Sequence, residues 1–311
     1  METAPFYDDV AYGPPGGKAH WVVAEDGVRM RVAHWLSGAA KGTVLIFPGR
    51  TEYIEKYGDA AKEFAARGFA SLAIDWRGQG LADRLLSERA LGHVGVFSDY
   101  QLDVTAVMAH AAALDLPKPY FVMAHSMGGC IGLRALHEGL DVKAAAFSAP
   151  MWGLSLAAWL KPLAYMLPAV ATRIGKGDTL APGQSLDTYV LREDFELNTL
   201  TCDQPMWERL QEQARAYPDL SLGGPTLHWL SEANAEMDAL HEMVSPDYPT
   251  LTFVGTAEKI VDPERIRNRM SRWSEGKLDV LKGAEHEVML ELPATRGRVF
   301  DMTAAHFSEY T

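Results

Sequence analysis

Ser126 lies in the segment Y-F-V-M-A-H-S-M-G-G-C-I-G-L-R-A-L, between an apolar run, Tyr120 to Ala124, and a stretch of helix formers, Met127 to Leu136. The run reads as a buried strand and the stretch as a helix, so the serine falls on the join. On a sharp strand-to-helix turn a serine hydroxyl is thrust clear of the backbone, provided small neighbours let strand and helix approach closely. Ala124 and Gly128 are those neighbours. The pattern is that of a nucleophile elbow, G-x-S-x-G, with alanine for the first glycine. The competing reading is an ordinary strand-loop-helix joint with a chance serine, since short patterns recur by accident.

A serine hydroxyl is a poor nucleophile at neutral pH, so acyl transfer needs a base, an acid to orient it and donors for the oxyanion. With an elbow serine the order along the chain is serine, acid, histidine, the last two on loops after late strands. His286, in K-G-A-E-H-E, follows the strand pattern Leu278 to Leu281 and precedes the last helical stretch, which makes it the candidate base. His125, beside the serine, points the other way on such a turn and reads as structural. After the apolar run Leu251 to Val254, the segment G-T-A-E-K-I-V-D-P-E offers two acids, Glu258 and Asp262. Asp262 has a local explanation, because Asp-Pro-Glu makes an N-cap, a first-turn proline and an acid that complements the helix dipole. That favours Glu258 as the orienter, with Asp262 as the alternative. The oxyanion donors expected are the main-chain N–H of Met127, which comes with the elbow, and that of Arg50, in the loop after Thr43 to Phe47. Asp75, in D-W-R-G-Q-G, can hold a tight reversal through hydrogen bonds to the backbone; as triad acid it would break the chain order.

These residues need a scaffold, and the rest of the chain supplies one. The sequence has 311 residues, 48% hydrophobic and 23% charged, within the range of a globular protein. Its net charge of −12 leaves no basic stripe for nucleic acid and disfavours adsorption to anionic membranes by charge. Cys130 and Cys202 lie far apart and form neither a metal-binding pair nor a disulfide framework. No metal or organic cofactor signature is found. The acidic N-terminus lacks the basic start and apolar core of a secretory signal, so a cytoplasmic protein is expected.

Met1 to Gly17 reads as a loosely held arm, and His20 to Ala24 with Arg29 to Trp35 as a hairpin closed by E-D-G. From Thr43 the pattern alternates. Strands are expected at Thr43 to Phe47, Ala70 to Ile74, Tyr120 to Ala124 and Ala144 to Ser148, with helices near Tyr53 to Arg67 and Tyr100 to Leu114. Such alternation implies a parallel sheet covered on both faces. It stops after Pro150 and resumes at Leu251, and a gap of about a hundred residues is too long for a loop in a compact α/β domain. The expected organisation is therefore an α/β core over 1–150 and 245–311, split by a helical cap over 151–244.

Together these pieces resemble the α/β-hydrolase superfamily, and within it the bacterial lysophospholipase and monoglyceride-lipase group, also grouped as serine-aminopeptidase-like hydrolases. The matching stretches are F-P-G-R-T-E-Y-I-E-K-Y, D-W-R-G-Q-G-L-A-D-R, G-H-V-G-V-F-S-D-Y, A-H-S-M-G-G, G-T-A-E-K-I-V-D and G-A-E-H-E. The resemblance implies a mostly parallel eight-stranded sheet with helices on both faces and an inserted helical cap. It also implies Ser126 as nucleophile, His286 as base and Arg50 and Met127 as oxyanion donors. Glu258 stands where the group commonly has aspartate.

In the inserted segment, Trp152, Leu156, Trp159, Leu160, Leu163, Leu167 and Val170 recur at spacings of three and four, an apolar helical face interrupted by Lys161, Pro162 and Pro168. A cap helix packed on the core accounts for part of that face. The functional expectation is a lid lining an acyl-chain pocket, with Trp152, Leu156 and Trp159 against the substrate and room for transient contact with a lipid surface. Arg173, Lys176, Arg192 and Arg209 could meet a phosphate, although solvated surface charge explains them as well. The first expectation is thus a serine hydrolase of single-chain lipid esters, lysophospholipid or monoacylglycerol, needing no cofactor. A small-molecule carboxylesterase or peptidase, or a non-catalytic binding protein on this scaffold, are the alternatives.

Overall fold

The computed structural model describes residues 1–36, 38, 41–155 and 161–311. Eight strands form one sheet: β1 Lys18–Val23, β2 Arg29–Trp35, β3 Thr43–Phe47, β4 Ala70–Asp75, β5 Tyr120–His125, β6 Ala145–Ser148, β7 Thr250–Gly255 and β8 Gly276–Leu281. Their order is β1-β2-β4-β3-β5-β6-β7-β8. β2 runs antiparallel to β1 and β4, and the pairs from β4 to β8 are parallel. The helices are α1 Asp8–Ala11, α2 Gly58–Ala66, α3 Tyr100–Ala113, α4 Met127–His137, α5 Lys161–Arg173, α6 Tyr189–Arg192, α7 Gln204–Ala216, α8 Leu227–Glu242, α9 Pro263–Ser271 and α10 Pro293–Ser308.

The continuous apolar strands follow from coverage on both faces. Within β3, Leu45 and Phe47 pack with Val104, Ile131 and Ile266 of α3, α4 and α9, whereas Val44 and Ile46 pack with Phe64, Phe300 and Phe307 of α2 and α10. After β3 the chain crosses to β4 on one side, and after β4 it returns to β5 on the other. The sheet order therefore reverses between β3 and β5, which opens a crevice beyond their carboxyl ends. The loops after these two strands carry Arg50 and Ser126.

Three stretches differ from their sequence pattern. The N-terminal arm is held, not loose: the Ala4 and Trp21 N–H groups bond across to Ala19 and Glu2, Val10 and Ala11 are buried, and Tyr7 stacks on Tyr217. The expected helix from Tyr53 begins as a 3-10 turn, Ile54–Tyr57, before α2. The apolar face expected from Trp152 to Val170 is not one helix, because Met151 to Ser155 is non-helical and α5 starts at Lys161. Among the described residues, α5 to α8 fill the interval between β6 and β7 and add no strand to the sheet. No helix there is long and apolar enough to cross a membrane.

Candidate active site

Ser126 caps α4 with φ +50° and ψ −117°, a strained conformation for a residue with a side chain. The turn closes because Gly128 has no Cβ, which would otherwise run into the Phe47 carbonyl. Ala124 replaces the usual first glycine at no steric cost because Gly132 faces it: a Cβ at 132 would stand 3.2 Å from the Ala124 methyl. The missing methyl has moved to the helix side of the joint.

His286 leaves the loop after β8 and Glu258 the turn after β7. His286 Nε2 lies 2.9 Å from Ser126 Oγ, and Nδ1 lies 2.8 Å from Glu258 Oε2. The second Glu258 oxygen accepts the main-chain N–H groups of Ile260 and Val261 at 2.6 and 3.1 Å. Burial alone would raise the Glu258 carboxyl, but the facing imidazole and these two amides hold it below the ordinary glutamate range. A carboxylate facing Nδ1 keeps the proton there, which leaves Nε2 to accept from the serine. Asp262 instead caps α9, accepting the Glu264 and Arg265 N–H groups at 2.9 and 3.4 Å. Asp75 accepts the Ile54 and Leu81 N–H groups and pairs with Arg31, all at 2.8 Å, a structural anchor away from the serine. The N–H groups of Arg50 and Met127 have no acceptor among the described residues.

Beside the histidine sits a buried charge cluster that the sequence pattern did not reveal. The Lys56 ammonium donates to Glu52 and to Glu287, the latter at 2.5 Å. His125 Nε2 lies 3.5 Å from Glu52 and 3.3 Å from Glu287, while Nδ1 faces the Ser148 carbonyl at 3.0 Å. Burial opposes charge on His125, but the two carboxylates outweigh it and raise its pKa. Glu52 also accepts the Gly49 N–H, so the cluster ties the loop after β3 to the residue that follows His286. Glu52, His125 and Glu287 each bring one ligand atom within 4.8 Å of the others, the spacing of a cation site, and the Lys56 ammonium supplies the positive charge there. In the sequence only the i,i+4 spacing of Glu52 and Lys56 hints at this; Glu287 is 231 residues from Lys56. Lys56→Met leaves two buried carboxylates facing each other, and the expected loss is about 3–5 kcal/mol of unfolding free energy, read by chemical denaturation.

Ser126 and His286 face a cavity of about 670 Å³ walled by Met151, Leu154, Leu163, Leu167, Leu210 and Leu230, with Arg50 and Trp229 at the side of the loop after β3. Trp152 is not on its wall. Its indole is buried, packs against Phe147 and Trp273 with centroids 5.1 and 6.1 Å away, and donates to the Gly129 carbonyl at 3.1 Å, because the chain turns into the core after Pro150. Leu156 and Trp159 lie outside the described residues. Of the four basic residues considered for a phosphate, Arg209 pairs with Asp59 at 2.5 Å and Arg192 with Glu193 at 2.8 Å.

The family model described as Serine aminopeptidase, S33, matches residues 38–293. Lysophospholipase L2 of Escherichia coli strain K12 is 30% identical over 283 residues, covering 87% of this chain and 82% of that protein. A probable lysophospholipase L2 of Haemophilus influenzae is 24% identical over 302 residues, covering 96% and 92%. A soluble variant of monoglyceride lipase from Saccharomyces cerevisiae, solved with a substrate analogue, aligns with a TM-score of 0.73 at 19% identity over 93% of this chain and 94% of that one. The last likeness speaks for the fold.

Proposed function

The chain belongs to the family described as Serine aminopeptidase, S33, and from that premise we propose that it is a serine hydrolase of single-chain lipid esters, acting through an acyl-enzyme on Ser126. The observation that carries the reading is the hydrogen-bonded series Ser126, His286, Glu258, at 2.9 and 2.8 Å, opening on an apolar cavity. His286 Nε2 takes the hydroxyl proton as Ser126 Oγ attacks the ester carbonyl. The Arg50 and Met127 N–H groups receive the oxyanion, and the proton then passes to the departing alcohol. Water, deprotonated by the same imidazole, releases the fatty acid and restores the serine. Glu258 keeps the proton on Nδ1 throughout.

The relatives named lysophospholipase support a lipid ester as substrate. Residues 151–244 would act as the cap. Leu163, Met166 and Val170 of α5, with Ile174 just beyond it, form an exposed apolar stripe suited to transient contact with a lipid surface. Two unpaired cysteines are in keeping with a cytoplasmic setting. The direct test is fatty-acid release from a panel of lysophospholipids and monoacylglycerols, together with fluorophosphonate labelling of Ser126. Wild-type protein that takes no label overturns the reading.

Chain length provides a second measurement. Burying a methylene contributes about 0.8 kcal/mol, which is about fourfold in kcat/KM. Across esters of four to twelve carbons, kcat/KM should climb steeply and level off once the cavity is filled. A flat or falling series would identify a small-ester enzyme instead.

A further inference from the structure

Arg50 enters the mechanism through its main chain, but its side chain has a place of its own. The guanidinium lies along the cavity wall, where one N–H donates to the Gly223 carbonyl at 2.9 Å and Cζ stands 5.8 Å from the Trp229 ring centroid. That carbonyl is its one hydrogen-bond acceptor among the described residues, and no carboxylate there pairs with it. A guanidinium has five N–H donors, so most of them lack a protein acceptor. Removal from water lowers the Arg50 pKa to about 10, which still leaves the group charged at neutral pH.

Three other arginines, buried or half-buried, meet carboxylates. Arg31 meets Glu55 and Asp75 at 2.7 and 2.8 Å, Arg77 meets Asp103 at 2.8 Å, and Arg134 meets Glu236 at 2.6 Å. Arg84 and Arg269 pair with no carboxylate among the described residues, but three carbonyls accept from Arg84, and two carbonyls and the Ser245 hydroxyl from Arg269. Arg50 differs in facing the space where substrate would sit. A half-buried cation with no carboxylate beside it among the described residues is costly, and an anion entering the cavity would offset that cost through a two-pronged, charge-assisted contact.

We propose that the Arg50 guanidinium, steadied against Trp229, is a subsite for the phosphodiester of a lysophospholipid head group, so that the enzyme prefers phosphate-bearing single-chain lipids to neutral monoacylglycerols. This rests on the ester-hydrolase reading above. The reach is suitable. An arginine carries its guanidinium carbon five bonds from its Cα, and in a lysophospholipid phosphorus stands five bonds from the leaving ester oxygen, each span about 7.5 Å along the bonds at about 1.5 Å per bond. With the Arg50 N–H on the oxyanion, the Arg50 side chain spans a distance similar to that from ester to phosphate.

The test compares octanoyl lysophosphatidylcholine with 1-octanoylglycerol, below their micellar concentrations, on wild type, R50Q and R50K. The quantity read is the ratio of the two kcat/KM values, in which any effect on shared chemistry cancels. Wild type should favour the phospholipid, R50Q should lower the ratio about 10- to 100-fold, chiefly through KM for the phospholipid, and R50K should recover part of it. Glycerophosphocholine should inhibit wild type competitively, and more strongly than inorganic phosphate does. Inhibition by inorganic phosphate that is equally strong and equally dependent on Arg50 would assign the site to free phosphate and overturn the head-group assignment. Equal losses on both lipids in R50Q, or a wild type that hydrolyses only the monoacylglycerol, would overturn the subsite and leave the hydrolase reading standing. A wild type that hydrolyses neither lipid would sink the hydrolase reading itself.

Discussion

Replacing Ser126 by alanine lowers hydrolysis of every ester by about ten-thousand-fold or more and abolishes the fluorophosphonate adduct. Without the hydroxyl, water must attack the carbonyl directly. What remains is the help of binding and of the two oxyanion donors. Apparent affinity for a lipid ester should survive, since the cavity wall is unchanged, so the loss appears in kcat. The two thiols offer no bypass: Cys130 is buried, and the exposed Cys202 directs its thiol to the Gly283 carbonyl. Activity in S126A within tenfold of wild type, measured as released fatty acid on protein free of contaminating esterase, would show that another group attacks the ester.

Glu258→Gln is expected to reduce kcat by about a thousand- to ten-thousand-fold with little change in KM. The reason is local. Oε1 of Glu258 accepts two main-chain N–H groups, from Ile260 and Val261, so the amide oxygen of a glutamine would take that place and turn its NH2 toward His286 Nδ1. Nδ1 would then have to accept, the proton would move to Nε2, and the imidazole could no longer take the serine proton. Asp262→Ala serves as the contrast. It removes the cap of α9 and should cost about 1 kcal/mol of stability, with kcat retained within a few-fold. The opposite pattern, a large kinetic loss in D262A and a spared E258Q, would transfer the orienting role to Asp262.

Much of this arrangement is legible in the sequence because local chain chemistry encodes it. A strand-to-helix joint with small neighbours marks Ser126. The Asp-Pro-Glu triplet gives Asp262 a task of its own, which left Glu258. His286 follows the last strand pattern. Each inference spans a few residues around a strand end, and in a parallel sheet all strand ends of one sense lie on one edge, so separate local readings converge in space.

Where interactions join distant segments, the sequence was silent. Nothing local distinguishes Glu287 from a surface acid, yet it closes the buried cluster with Lys56 and His125. The apolar spacing around Trp152 looked helical, but the chain turns inward there and the indole packs into the core. The N-terminal arm, rich in glycine and proline, read as loose because its partners, Gln213 and Tyr217, are some two hundred residues away. For Arg50 the sequence pattern suggests a backbone role alone, since the acceptors a side chain meets are set by everything packed around it.

The sequence by itself thus determined the alternating α/β architecture, the strand ends that carry Ser126, Glu258 and His286, and the order in which they occur, because hydrophobic period and turn chemistry are written within short stretches. Tertiary structure alone decided the distances between those side chains, the buried ionic cluster beside them, the shape of the cavity and the place of the Arg50 guanidinium on its wall. Those depend on which remote segments exclude water from one another, and no local pattern specifies that.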